Sequence, residues 1–314
     1  MGILYHGSST PNLKTLTPHR STHGTYVYAT NEKSFAIIFS STGGDDQVLT
    51  IYRNSSDEPL KLVERIPNVF NTIFSKSSSI YEVDDSTFKN INTGFSELVS
   101  TEEVPVLKEE HINFLIDKVI ELANSGQIEL YYYPNRPKEI SPNDIDLIEK
   151  ELKYYERHNL SITKDTFNRV ILLHPNLIDK VNEVLKNYLS QSFSYTKDHL
   201  VSLFDMFIIL HLSNPTKEYF LLSILKNIEN YYPDLCLTLL NHYSIISKSK
   251  EEIINWVKTF IISNLTSSKD LSSKFSNIDY SKPLSEIVNS FLTIYKEETN
   301  LSEKEPLSEH KISN

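Results

Sequence analysis

The chain has 314 residues, of which 39% are hydrophobic and 23% charged, and it carries a formal net charge of −10 at pH 7. That is enough apolar material for a folded core in two domains of ordinary size, and too much for wholesale disorder. The acidic balance speaks against a surface coated with nucleic acid, and a single cysteine, Cys236, excludes an internal disulfide framework and a cysteine-built zinc site.

The opening "MGILYHG" lacks a basic stretch followed by an apolar one, so no signal peptide is expected. A first strand is expected to end at His6 and Gly7. From there to Asn31 no Asp or Glu occurs, while Lys14, Arg20, His19 and His23 do, which makes this region locally basic. His19 and His23 are four apart, but they sit among Thr, Pro, Ser and Gly and have no evident third ligand, so no metal is expected. "TYVYAT" reads as a strand and "NEKSFAIIFSS" as a helix beginning near Asn31. "QVLTIYR", "SSIYEVD" and "ELVSTEEVPVL" read as further strands, rich in Val, Ile, Tyr and Thr.

All seven glycines (Gly2, Gly7, Gly24, Gly43, Gly44, Gly94 and Gly126) lie in this first part, and their absence afterwards predicts a change of architecture. "ELYYYP" reads as a strand rather than a platform for stacked bases. "YPNRPKEISPND", residues 133–144, has three prolines and reads as the connection between two halves. In "LIDKVNEVLKNYL" the residues Leu177, Ile178, Val181, Val184, Leu185, Tyr188 and Leu189 recur on one helix face. Thr163, Thr196, Thr216 and Ser249 each precede Lys and an acid, a helix-start pattern, though the segments share too little else to be a repeat. The run "LVSLFDMFIILHL" is too short for a bilayer and carries Asp205 and His211, so no membrane span is expected and a cytoplasmic protein is. The polar tail from about Asn300 is expected to fray.

Three features of the first part carry chemistry. "YHGS" places His6, Gly7 and Ser8 at a strand end. "YATNEKSFAIIF" sets Tyr28 and Phe39 eleven residues apart, one on a strand end and one on the next helix, so that the rings could face each other across a slot. "TGFSELVSTEEVPVL" starts a strand-like run with Glu97 after a glycine turn. Each has a plain reading alone: a turn, two core aromatics, a solvated carboxylate. Taken together and in this order, they resemble the ADP-ribosyltransferase superfamily in its His-Tyr-Glu branch, which holds diphtheria toxin and the poly(ADP-ribose) polymerases. The resemblance covers roughly residues 3–110. Two departures stand out. Phe39 occupies a place where tyrosine is commoner, and Phe95 stands two residues before Glu97 where Gln or Glu marks arginine- or asparagine-directed relatives. The second departure, like the histidine in place of an arginine in the first motif, argues against an arginine acceptor.

The resemblance implies an ADP-ribosyltransferase-like split antiparallel sheet in the domain over residues 1–140; with the helical pattern that follows, an α+β protein with an all-helical domain over 141–314 is expected. The resemblance also implies an NAD-dependent mono-ADP-ribosyltransferase that moves ADP-ribose to a protein or nucleic acid and releases nicotinamide, with NAD as co-substrate and no metal. Relatives with compact catalytic domains on unrelated modules often act as toxins or in conflict between bacteria and phages. The helical domain would then bind the acceptor, a partner or an antitoxin. The implied roles agree with elementary chemistry. A slot between Tyr28 and Phe39 suits the flat nicotinamide cation, and Gly7 lets backbone approach the carboxamide. His6, with Ser8 beside it, would meet a ribose hydroxyl, and Glu97 would face the charge developing on the sugar. Arg20, helped by Lys14, His19 or His23, would meet the pyrophosphate. Glu82 is the rival for the glutamate role and Tyr26 for the tyrosine. The alternative functions are an inactive NAD- or ADP-ribose-binding module on a helical scaffold and, behind it, a phosphotransferase removing a 2′-phosphate from RNA.

Overall fold

The computed structural model describes residues 2–21, 23–41, 46–92, 96–189, 194–211, 215–244, 250–265 and 271–302. The chain divides into two compact units, Met1–Ser194 and Tyr195–Asn314. Expectations resting on Gly43, Gly44, Gly94, Phe95, Ser249 and the last twelve residues lie outside the described part.

The first unit mixes antiparallel sheet with helices. Its strands are β1 (Ile3–Ser8), β2 (Thr15–Leu16), β3 (His19–Ser21), β4 (Gly24–Thr30), β5 (Leu49–Tyr52), β6 (Leu60–Glu64), β7 (Ser78–Asp84), β8 (Glu97–Ser100), β9 (Val104–Pro105), β10 (Lys108–Ile112) and β11 (Ile128–Tyr131). Its helices are α1 (Lys33–Phe39), α2 (Val69–Ile73), α3 (Leu115–Asn124), α4 (Asp146–Arg157), α5 (Asn168–Leu173) and α6 (Ile178–Tyr188). The main sheet runs β10-β7-β1-β4-β3, and β8 also pairs with β4. Period-2 alternation decides which side of β4 is core. Val27 and Ala29 pack with Leu4, Leu16, Tyr81, Val83 and Val104, while Tyr26 and Tyr28 stand on the other face. A second sheet, β11-β6-β5, is antiparallel between β5 and β6 but parallel between β6 and β11, so the unit is not antiparallel throughout.

"ELVSTEEVPVL" becomes two strands rather than one. The Ser100 hydroxyl accepts the Glu102 N–H at 3.1 Å, turning the chain between β8 and β9. β6, β10 and α3 have no counterpart in the sequence reading, which places a single helix, the one near Asn31, before Gly126. Thr163 makes a turn with Asp165 and Thr166 instead of capping a helix directly, and α5 starts only at Asn168.

The division expected after residue 140 falls inside the first unit, because residues 133–144 are not a linker. The Arg136 guanidinium donates to the backbone oxygens of Glu64 and Arg65 at 2.6 and 3.2 Å and to Asp144 at 3.1 Å. Arg65 is fully buried; it donates to Thr50 Oγ1, Asp144 and Asp146 at 2.8, 2.7 and 2.5 Å. His174, also buried, bonds the Gln47 carbonyl at 2.6 Å. These bonds tie the proline-rich segment, α4 and the end of α5 to β5 and β6.

The second unit is helical: α7 (Lys197–His211), α8 (Pro215–Tyr231), α9 (Pro233–Ser244), α10 (Lys250–Asn264), α11 (Leu271–Ser276) and α12 (Leu284–Ser302). α7 starts as read, with Thr196 Oγ1 accepting the His199 N–H at 3.4 Å. α8 starts at Pro215, a residue suited to the first helical turn, so Thr216 lies within it. α9 packs against α7, α8 and α12. Buried Leu200, Phe204, Ile224, Leu240, Val257 and Phe291 belong to its core. Cys236 is buried and its thiol is pushed well up by burial, which makes it a core residue and a poor nucleophile. No helix among the described residues is long and apolar enough to cross a membrane.

Candidate active site

A cavity of about 660 Å³ opens in the first unit, within the roughly 300–1,000 Å³ that small-molecule sites span. Its lining includes His6, Gly7, Tyr28, Phe39 and Glu97. Sheet register explains how residues so distant in sequence meet there. Thr30 of β4 pairs with Tyr5 of β1 on one side and with Glu97 of β8 on the other. The three therefore form one row across the sheet, with Tyr28 on the same face two residues back. Tyr5 and Thr30 line the cavity as well.

Beyond Tyr5↔Thr30 the ladder between β1 and β4 stops, whereas β1 stays paired with β7 as far as Ser8. The gap this opens is bridged by a side chain. His6 Nδ1 lies 2.6 Å from the Tyr28 carbonyl oxygen. A carbonyl can only accept, so Nδ1 carries the proton, and a neutral ring then offers Nε2 as an acceptor. Burial holds the His6 pKa below the usual histidine value, against the opposing effect of the Tyr28 bond, and the nearby His19 lowers it further.

Gly7 has a reason that the sequence reading did not reach. A Cβ there would lie 2.0 Å from the Ala36 carbonyl oxygen and 2.8 Å from the Ser40 Cβ. Glycine is needed because α1 crosses β1 in close contact, and that contact brings Phe35, Ala36 and Phe39 to the cavity wall. The Phe39 ring stacks on Phe35 with centroids 4.4 Å apart. Across the sheet, Tyr28 meets Tyr26 edge-on at 6.0 Å and His19 at 6.2 Å. The Tyr28 hydroxyl is buried and has no hydrogen-bond partner among the described residues. The Glu97 carboxylate likewise has no hydrogen bond or ion pair among them. Buried polar groups are normally satisfied, so the Tyr28 hydroxyl is an exception.

Neither rival lines the cavity. Glu82 pairs with Lys108 at 3.2 Å on β7, and Tyr26 stands behind Tyr28. Two expected binding residues do not line it either. The Ser8 hydroxyl accepts the Thr10 N–H at 3.1 Å, closing its own turn. Arg20, expected at the pyrophosphate, lies on β3; strand alternation turns His19 and Ser21 to the cavity and leaves Arg20 out of its lining, and Lys14 does not line it either. The cation that does reach the cavity is Arg157, at the end of α4. It pairs with no carboxylate among the described residues, its Nε donating to the Lys153 carbonyl at 3.3 Å. Sequence reasoning missed it because it lies outside the span of the resemblance, on a helix with no motif; its only signal was a basic residue in a last helical turn. Leu49 and Ile51 of β5 and Asp46 complete this side, with Asp46 3.6 Å from Lys150.

The cavity thus combines aromatic walls, a neutral imidazole acceptor, and a carboxylate at a strand start and a guanidinium that make no ion pair among the described residues. Compared with protein-family models, with curated proteins and with solved structures, the chain finds no match in any of the three.

Proposed function

We propose that the first unit is an NAD-dependent mono-ADP-ribosyltransferase acting on a macromolecular acceptor. The observation that carries this reading is that His6, Gly7, Tyr28, Phe39 and Glu97 line one cavity, although they come from three strands and a helix. A main sheet that splits where β1 leaves β4 is also what an ADP-ribosyltransferase-like fold would provide.

NAD supplies the labile bond: cleavage between ribose C1′ and the nicotinamide nitrogen releases neutral nicotinamide and leaves positive charge on the sugar. The protein's part is positioning and electrostatics. Tyr28 and Phe39 offer aromatic surface to the flat cation. His6, held neutral, accepts from a ribose hydroxyl through Nε2. Glu97 accepts from the 2′-hydroxyl and faces the charge at C1′, where it is unneutralised by any described cation. An acceptor nucleophile then bonds to C1′ and gives up its proton. Arg157, with His19 and His23 also in the lining, suits the diphosphate.

The test is incubation of the protein with labelled NAD and a cell lysate, followed by separate nuclease and protease digestion. Label on protein or nucleic acid, with nicotinamide released, is the expected result. A Glu97→Gln variant should lose both by roughly 10²–10³-fold. If the variant labels as well as the parent, Glu97 has no catalytic part. If the parent binds NAD but releases no nicotinamide, the chain is a binding module.

A further inference from the structure

The residue just beyond β5, Arg53, makes a fork that no motif announces. Its side chain is 10% exposed. Nη1 and Nη2 donate to the two carboxylate oxygens of Glu32 at 2.7 Å each, and Nη2 also donates to Ser96 Oγ at 2.5 Å. A planar guanidinium is the side chain that can serve a carboxylate with two parallel bonds and still reach a third acceptor. The Arg53 bond holds the Glu32 carboxyl below its usual range, assisted by Ser96, so Glu32 stays ionised and the fork stays closed at neutral pH.

Three segments meet at this fork, and each leads to Glu97. Ser96 is its chain neighbour. Glu32 precedes α1, and its N–H donates to Thr30 Oγ1 at 3.1 Å; Thr30 is the cross-strand partner of Glu97. Arg53 follows β5, whose Ile51 lines the cavity. Glu97 is the first residue of β8, so the ladder holds it from one side only. The preceding residue is held by the fork instead. Arg53, Glu32 and Ser96 are absent from the cavity lining, so none of them is placed to touch what the cavity holds.

We infer that Arg53 is a positioning residue for Glu97, fixing through Ser96 and Glu32 the point at which β8 starts and hence where the carboxylate stands in the cavity. The inference rests on the reading of Glu97 as the group that faces the ribose. Misplacing such a group by an ångström from a remote site can cost on the order of 10²-fold in rate.

The experiment measures nicotinamide release from NAD by the full chain for the parent, Arg53→Lys, Ser96→Ala, Glu97→Gln and Arg53→Lys on the Glu97→Gln background. Lysine keeps the charge but cannot hold Glu32 and Ser96 together. The expected result is a kcat lowered roughly 10- to 100-fold by Arg53→Lys and about 3- to 10-fold by Ser96→Ala, with KM for NAD unchanged within about twofold. On the Glu97→Gln background Arg53→Lys should cost nothing further, because groups acting as one unit are non-additive. Ser96→Ala keeps the Arg53–Glu32 pair and so serves as the variant least prone to unfolding. The inference is overturned if Arg53→Lys keeps the parental kcat, if its effect falls on KM, or if it costs as much without Glu97 as with it. A parent that releases no nicotinamide overturns the functional reading and this inference together, whereas an active parent with an equally active Arg53→Lys variant overturns this inference alone.

Discussion

Two polar regions of the first unit use similar side chains to opposite ends. Around β6, Arg65 and Arg136 share the carboxylate of Asp144, Arg65 also takes Asp146, Thr50 and two backbone carbonyls take the remaining donors named above, and His174 spends Nε2 on Gln47. His174 Nδ1 lies 3.8 Å from Asp144, but a neutral ring makes this a contact between a dipole and a charge rather than an ion pair. In the cavity, by contrast, His6 spends one ring nitrogen, the Tyr28 hydroxyl spends nothing, and Glu97 and Arg157 make no ion pair among the described residues. Burial of charge is common to folding and to function. What separates them is whether the hydrogen-bonding capacity closes on itself or is left open toward a space that a ligand could fill.

This contrast can be broken in several ways. The largest effect belongs to the closed cluster. Asp144→Ala should destabilise the protein by about 3–5 kcal/mol in denaturant unfolding, because two buried guanidinium groups lose their shared partner. Asp144 also sits at φ 59°, a left-handed conformation that alanine adopts less readily. Glu97→Gln should do the reverse, with unfolding free energy within about 0.5 kcal/mol of the parent while nicotinamide release collapses. A large loss of stability there would mean that Glu97 belongs to the fold and not to a site.

Acid sharpens the comparison further. Burial pushes the His174 pKa down to about 4, against Asp144 and the Gln47 bond, with Arg65 and Arg136 lowering it further. The unfolded chain protonates this ring near pH 6.5 and the folded one only near 4, so its stabilising contribution is complete above pH 6.5 and is lost as pH falls through that window. Between pH 7 and pH 5 the loss should be about 2 kcal/mol, read as the difference between the parent and His174→Gln in unfolding at the two pH values. The smallest effect is expected at Tyr28. Tyr28→Phe removes a buried hydroxyl with no partner among the described residues, so stability should be unchanged or up to about 1 kcal/mol higher, while affinity for NAD, by calorimetry, stays within about twofold because the ring face is kept. A stability loss of 2 kcal/mol or more would show that the hydroxyl is already satisfied.

Much of the cavity was legible because its residues sit on strongly patterned elements. Tyr28 lies on an alternating β-branched and aromatic strand, Phe39 on an apolar helix, and Glu97 opens a run of Leu and Val. Arg20 misled because β3 is too short and polar to read as a strand, and without a strand there is no alternation to turn its side chain away. β10, "KEEHI", escaped notice as an edge strand whose buried residue is Ile112 alone. The proline-rich segment at 133–144 carries the composition of a linker, yet Arg136 anchors it; a charged residue in a polar stretch looks the same whether it meets water or a buried carboxylate.

By itself the sequence determined the mixed first part and the helical last part, because hydrophobic periodicity and turn chemistry are local properties of the chain, while the candidates His6, Gly7, Tyr28, Phe39 and Glu97 came from a resemblance carried by the order of three short motifs. Only the tertiary structure decided that α4 to α6 belong with the sheets, that Gly7 is required by α1, that Arg157 and not Arg20 reaches the cavity, and that Arg53 holds the start of β8. Each of these depends on strand register, on elements packing closely or on a side chain reaching residues far away in sequence, and long-range neighbours leave no period to read.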